Sequence, residues 1–362
     1  EQGLTPSQYL ITDETRHFSF LVQDGVYYIS AFEDTSSNFI YEESEICGYY
    51  GSPDGIIANA KEKTVKDVKQ KPLLDIELKQ SCKYPAVMPR DVADGSFAVK
   101  SFKKLGVVTD LDNSLFDQKN GSLGYWKPLS FLKDVGVGIY FLEPYDPDKI
   151  PVLFVHGAVG TPVGWQPIVD QLDRQRYQPW FYYYPSGLRL DTIAGALNTL
   201  ITELSEKHHF ETLHIIAHSM GGLVSRDFII KNVIEEQQTY IDKFISMSTP
   251  WGGVGTAALG VKKAPAVVPS WYDVAPDSDF LEHLYKDPLP EKVEFYLLFG
   301  VRGKCSMMMK NNDGTVEIAS EIDHRAQADA AGFYGFDEDH MSILTSDRVI
   351  KQILKLMNTK EQ

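Results

Sequence analysis

One stretch of this chain combines residue types that could attack a carbonyl carbon: His214-Ile215-Ile216-Ala217-His218-Ser219-Met220-Gly221-Gly222-Leu223-Val224. An apolar run leads into a small-His-Ser-Met-Gly turn, and a helix-compatible segment follows from Leu223 to Val233. The spacing predicts strand, tight turn and helix with Ser219 at the apex. It fits the pattern G-x-S-x-G except that Ala217 stands in the place of the first glycine. Such a turn strains the serine backbone and lifts the hydroxyl off the sheet edge. Large side chains two positions before or after the serine would collide, a demand that Gly221 meets and Ala217 nearly meets. The following helix turns its N-terminal amides toward the reacting centre.

A serine hydroxyl needs a base, an acid to orient that base, and donors for the charge that develops on the carbonyl oxygen. The apolar run Ile150–Val155 enters His156-Gly157-Ala158-Val159-Gly160, where Gly157 is expected to permit an unusual turn. That turn would aim the Ala158 amide at the same point as the Met220 amide. His156 reads as a structural hydrogen-bonding residue. For the acid, Asp313 in Asn311-Asn312-Asp313-Gly314-Thr315 is preferred over Asp323, and its alternative is a plain Asp-Gly turn. For the base, His340 in Asp339-His340-Met341 is preferred over His324. The resulting order is Ser219, Asp313, His340.

The elements that must hold these residues follow the same grammar. Strands are expected at Val135–Leu142, Ile150–Val155, Gln178–Tyr184, His214–Ala217, Lys243–Met247 and Val293–Phe299. Helices are expected at Trp165–Leu172, Leu190–Leu204 and Val349–Met357. Ile193, Leu197, Leu200, Ile201 and Leu204 share one helical face. Strands alternating with helices imply an α/β architecture, a doubly wound and mostly parallel sheet. In such sheets functional residues gather at the carboxyl ends of the strands. Residues 251–290 read as a cap. Ala257, Ala258, Leu259, Val261, Ala266, Val267, Val268 and Trp271 would give it an apolar surface or simply pack it down, and Met307-Met308-Met309 lies near the acid. Trp251 and Trp271 are the candidate substrate-binding side chains.

With 362 residues the chain can hold two domains, and 43% hydrophobic against 23% charged residues is the balance of a globular chain with a real core. Residues 1–80 are expected to form a small β-rich, sandwich-like domain. Its features are strands His17–Val22 and Val26–Phe32 around Asp24-Gly25, and a further strand at Leu73–Leu78. Gly25–Asp34 resembles a hairpin of small Ig-like or prealbumin-like modules. Residues 81–130 read as an irregular connector and 131–362 as the α/β domain. Asp34, Ser36, Asn38, Glu42 and Glu45 fall in a calcium-loop register. Phe39 at the place of the loop's glycine and the lack of flanking helices favour a polar loop, so no metal is expected. Cys47 and Cys82 either form a bridge or stay as buried thiols, and Cys305 is left over.

Five segments in order carry a resemblance: Val155-His156-Gly157, Ala217-His218-Ser219-Met220-Gly221-Gly222, Ser248-Thr249-Pro250-Trp251-Gly252-Gly253, Asn312-Asp313-Gly314 and Asp339-His340. They resemble the α/β-hydrolase superfamily, in the lipase and esterase branch with bacterial triacylglycerol lipases and inositol-deacylase-like proteins. The resemblance implies Ser219 as nucleophile, Asp313 as acid, His340 as base, an acyl or lipid-like ester as substrate, and no cofactor. Acyl transfer and thioester cleavage use the same residues, and a non-catalytic envelope protein could retain the scaffold. A formal charge of −15 argues against nucleic acid and against electrostatic binding to an anionic membrane. Peripheral membrane or envelope contact and the oligomeric state stay open. A chain beginning at Glu1 without Met is expected to be a mature secreted or periplasmic bacterial product.

Overall fold

Ile150–Val155 and Leu213–His218 are apolar along nearly their whole length, as strands covered on both faces must be. In the computed structural model they lie side by side at the centre of an eight-stranded sheet. The structure describes residues 25–33, 35, 44–51, 63–65, 75–80, 82, 103–264, 267–303 and 311–359. These fall into two compact units, Glu1–Phe102 and Lys103–Gln362.

The second unit contains β1 (Lys103–Val108), α1 (Gln118–Trp126), α2 (Pro128–Asp134), β2 (Val137–Phe141), β3 (Ile150–Val155), α3 (Gln166–Val169), β4 (Tyr177–Tyr183), α4 (Leu190–His208), β5 (Leu213–His218) and α5 (Met220–Ile229). It continues with β6 (Ile241–Met247), α6 (Gly255–Lys263), α7 (Ser270–Val274), α8 (Asp279–Leu284), β7 (Glu294–Gly300), α9 (Ile318–Glu321), α10 (His324–Asp329), β8 (Gly332–Phe336) and α11 (Asp347–Met357). The sheet order is β8-β7-β6-β5-β3-β4-β2-β1. Strands β3 to β8 run parallel, whereas β2 pairs antiparallel with β4 and parallel with β1. This is a doubly wound, mostly parallel α/β sheet, as expected from the alternation of elements.

The unit therefore starts at Lys103 and not near residue 131. The supposed connector holds the edge strand β1 and the helices α1 and α2. Strand β8 adds a further edge beyond the expected set.

Apolar spacing explains how the helices attach. In α11, Val349, Ile350, Ile353, Leu356 and Met357 are buried in one stripe, while the charged positions face outward. They join a core with Phe154, Phe181, Ile216, Ile245 and Met247 from the sheet. Each such side chain contributes roughly 1.5–3 kcal/mol on leaving water. Phe154 stacks on Phe181 at 5.4 Å and meets Trp165 at 5.1 Å. Among the described residues no helix is long and apolar enough to cross a membrane.

In the first unit the described residues form two antiparallel pairs, Gly25–Tyr27 with Lys63–Val65 and Ser30–Phe32 with Cys47–Tyr49. The expected single strand Val26–Phe32 is thus broken, and its halves pair with different partners. Residues 75–80 form a bridge at Lys79 to Cys47 and no strand. Cys47 and Cys82 are joined in a disulfide. The expected strand His17–Val22 and the calcium-loop positions Asp34, Ser36, Asn38 and Glu42 lie outside the described residues. Glu45 is buried, and its carboxylate accepts the Thr35 N–H at 2.7 Å and the Thr35 hydroxyl at 3.2 Å.

Candidate active site

Ser219 occupies the turn between β5 and α5 with φ 55° and ψ −133°, a region that side chains rarely enter. Holding it there costs about 1–3 kcal/mol. Two backbone bonds hold it: Ser219 N–H donates to the Met247 carbonyl (2.8 Å), and Gly222 N–H donates to the Ser219 carbonyl (2.9 Å). A Cβ on Gly221 would lie 2.4 Å from the Val155 carbonyl oxygen and 2.5 Å from that of His156, so the helix can leave the sheet here only with glycine. Ala217 is fully buried between Val155 of β3 and Ser246 of β6, and its single methyl is accommodated.

The three side chains expected to work together are brought together. His340 Nε2 lies 2.9 Å from Ser219 Oγ, and His340 Nδ1 lies 2.5 Å from Asp313 Oδ2. An ionised Asp313 keeps the ring proton on Nδ1, so Nε2 is free to accept from the serine hydroxyl. Asp313 Oδ1 accepts the N–H groups of Thr315 (2.9 Å) and Val316 (2.7 Å). Burial alone would raise the Asp313 carboxyl, but the hydrogen bond and charge of His340, with the Val316 amide, outweigh it and hold it below the ordinary range. The Asp-Gly turn is therefore a carboxylate mount. His340 N–H donates to the Asp313 carbonyl (2.8 Å), tying the two loops together through main chain.

The rival residues have other partners. Asp323 accepts from Arg325 Nε (2.9 Å) and Nη2 (3.0 Å) and caps α10. The His324 side chain is 89% exposed beside it. His156 is buried and stacks on Tyr184 (4.1 Å between ring centres), and its Nδ1 donates to the Gly157 carbonyl (2.8 Å). Burial pushes its pKa down to about 4, so the ring stays neutral.

The turn after β3 differs from expectation in one respect. The left-handed residue is Val159 (φ 61°), not Gly157. A β-branched residue there is strained, and Val159 is held by its N–H on Ser186 Oγ (3.0 Å) and its carbonyl under Gln118 Nε2 (2.9 Å). Gly157 is needed for space: a Cβ there would lie 2.7 Å from Ser219 Cβ. Ala158 follows directly. Met220 is the first residue of α5, directly after the serine.

Two further residues complete the site. His218 Nε2 donates to the His340 carbonyl (2.8 Å), which steadies the base loop from the serine's own strand. Burial, then the neighbouring His340, lowers His218 to about 3. Glu321 is buried beside Asp313 and His340, and one polar side-chain atom of each lies within 4.8 Å of the others. Neither role is visible in sequence, because each depends on contacts between distant loops.

The cap between β6 and β7 consists of α6, α7 and α8. Asp273 of α7 accepts from Arg189 Nε (2.9 Å) and from the Leu190 N–H (2.7 Å), which joins the cap to the start of α4. Arg226 of α5 donates to the carbonyls of Leu284 and Asp287 and pairs with Asp329 at 2.7 Å. The expected apolar surface is divided. Ala257 and Val268 are buried, whereas Leu259 is exposed. Ala266 and Met307-Met308-Met309 lie outside the described residues. Trp251 is corrected from substrate-binding to packing: it is fully buried, with its ring edge-on to Phe244 and Phe295. Trp271 is half-buried, donates Nε1 to Tyr125 Oη (2.5 Å), and meets Trp126 at 6.0 Å.

Residues 193–262 match the family model of lecithin:cholesterol acyltransferase; the match covers the stretch from α4 through Ser219 into α6. No curated protein matches the chain. Among solved structures, the mature form of Bacillus licheniformis lipase BlEst2 is similar, with 18% identity over 61% of this chain and 98% of that one and a TM-score of 0.49. Aspergillus fumigatus lipase B has 14% identity over 61% of this chain and 56% of its own, with a TM-score of 0.46. The lin2722 product of Listeria innocua has 14% identity over 59% and 96%, also with a TM-score of 0.46.

Proposed function

We propose that this chain, an α/β-hydrolase by fold, is a serine hydrolase of carboxylic esters with acyl or lipid-like substrates. The observation that carries the reading is the unbroken hydrogen-bonded line from Ser219 Oγ through His340 to Asp313, set on a strained turn. Ser219 attacks the ester carbonyl as its proton passes to His340 Nε2. Asp313 stabilises the resulting imidazolium and holds its orientation. The Ala158 and Met220 N–H groups receive the negative charge on the tetrahedral oxygen. His340 returns the proton to the leaving alcohol, and water then cleaves the acyl-enzyme by the reverse route.

The test pairs a fluorophosphonate probe with p-nitrophenyl esters of rising chain length. Ser219→Ala should abolish labelling and lower kcat/KM by about 10⁴-fold or more. Equal labelling of both proteins would overturn the serine assignment. A folded wild type inert toward every ester and thioester of the panel would instead support a non-catalytic scaffold.

A second reading, acyl transfer to an alcohol, is favoured by the match to an acyltransferase family model. It differs only in the acceptor that meets the acyl-enzyme. Added long-chain alcohol should then divert product from free acid to new ester, and a constant acid yield excludes it. The proposal also places the protein in an oxidising compartment, secreted or at a bacterial envelope. The Cys47–Cys82 bridge supports this. Thiol alkylation of protein taken from the native compartment, before and after reduction, tests it.

A further inference from the structure

Glu321, the last residue of α9, is completely buried, yet only one of its oxygens has a clear role in the ionised state. Oε2 accepts the Gly300 N–H at 3.1 Å, and Oε1 meets no donor if the group is charged. Gly300 is the reason the pieces can approach. A Cβ there would stand 2.6 Å from the Glu338 carbonyl oxygen and 3.4 Å from Asp313 Cβ. Glu321 thereby lies beside the Asp313 carboxylate and the His340 ring, with one polar side-chain atom of each within 4.8 Å of the others.

Two buried carboxyl groups this close cannot both be ionised. The proton must stay on one, and the donors around each decide which. Asp313 is served by the amides of Thr315 and Val316 and by His340 Nδ1. Among the described residues, Glu321 has only the amide of Gly300. Asp313 therefore keeps the charge. Burial first, and the Asp313 carboxylate second, push the Glu321 carboxyl up to about 11, so it keeps its proton at neutral pH. That proton gives the carboxyl a donor to turn toward Asp313.

We infer that Glu321 is a positioning residue for the proposed hydrolase: its neutral carboxyl donates a hydrogen bond to Asp313 and so fixes the carboxylate that orients His340. The inference rests on the reading of the site given above. Glu321 touches neither the nucleophile nor the donors of the oxyanion. It acts through Asp313, so its loss should appear in kcat and in the pH dependence of kcat/KM and leave KM alone. Without the donor, Asp313 has a more concentrated negative charge and holds the imidazolium more tightly.

The test compares Glu321→Leu, which removes the donor, with Glu321→Gln, whose amide keeps one. The leucine variant is expected to lower kcat about tenfold at constant KM, the worth of one buried hydrogen bond to a charged group, and the glutamine variant to keep kcat within about threefold. The acidic limb of the kcat/KM profile should move to higher pH in Glu321→Leu and stay in place in Glu321→Gln. A leucine variant with wild-type kcat and an unmoved limb overturns the inference, as does a folded glutamine variant as impaired as the leucine one. Should the leucine variant fail to fold, infrared difference spectra of wild type against Glu321→Gln at pH 7 decide it. A protonated-carboxyl stretch present only in wild type supports the assignment, and its absence overturns it. This measurement does not depend on turnover, so it separates failure of this inference from failure of the proposed activity.

Discussion

Gly157 offers the sharpest mechanical test of the site. Replacing it with alanine puts a methyl 2.7 Å from Ser219 Cβ, 3.1 Å from the His218 carbonyl oxygen and 3.2 Å from Ser219 Oγ. Ordinary contact begins near 3.4 Å, so the serine and the turn after β3 must separate by about 0.7 Å. Neither side yields easily. Ser219 is pinned to Met247, and the turn is pinned through Val159 to Ser186 and Gln118. The strain should cost about 1–3 kcal/mol of stability. The displacement moves the hydroxyl relative to the Ala158 amide as well as to His340. A misplacement approaching 1 Å costs on the order of 10²-fold, so kcat/KM should fall about 30- to 100-fold, or about 2–3 kcal/mol of transition-state stabilisation. The assay is p-nitrophenyl ester hydrolysis alongside the rate of fluorophosphonate labelling, with the thermal midpoint measured on the same samples. Gly164→Ala, in the following turn, is the internal control, since its methyl would meet nothing within 4 Å. It should leave both activity and midpoint unchanged. A Gly157→Ala protein with more than half of wild-type activity and an unchanged midpoint would refute the packing argument.

Two more outcomes concern stability. His218 is neutral when folded, with its pKa depressed from 6.5 to about 3, so the unfolded chain takes up a proton that the folded chain refuses as pH falls through that window. His218→Gln, which can still donate to the His340 carbonyl, should therefore gain on wild type by about 1.4 kcal/mol per pH unit between about pH 6 and 4. Urea unfolding at pH 6, 5 and 4 checks this, and parallel stability profiles count against the buried neutral imidazole. Gly195 lies inside α4 with open space where a Cβ would stand. Gly195→Ala should raise stability by roughly 0.5–1 kcal/mol, seen as a higher thermal midpoint, and a lowered midpoint rejects the open-space description.

The parts of the site that are legible in sequence are those whose constraints are local. The turn at Ser219 demands small neighbours within two positions, so its spacing is written in adjacent residues. The central strands β3 and β5 are covered on both faces and read as apolar runs. Edges read poorly for the opposite reason. Strand β1 is Lys-Lys-Leu-Gly-Val-Val with most described side chains exposed or half-buried, and β8 carries glycine at two of its five positions. Neither has the apolar density by which a strand is recognised. Roles set by distant loops are hidden as well. Glu321 gains its meaning from Asp313, and His218 from the His340 carbonyl. Trp251 has the place of a substrate wall after the Thr-Pro pair, but Phe244 and Phe295 supply its partners from the sheet. Gly157, directly after a strand, suggests a need for an unusual φ, whereas the actual need is for room beside a neighbour.

The loops of the site are joined by their main chains: Ser219 to Met247, His340 to Asp313, and Asp313 N–H to the Val316 carbonyl at 3.0 Å. None of these links uses the reacting atoms. Chemistry and scaffold are therefore separable, and removing the hydroxyl of Ser219 leaves the mould of the site standing. On the proposed reading, an alanine protein of this kind should capture an uncleaved ester with its acyl and alcohol portions in place.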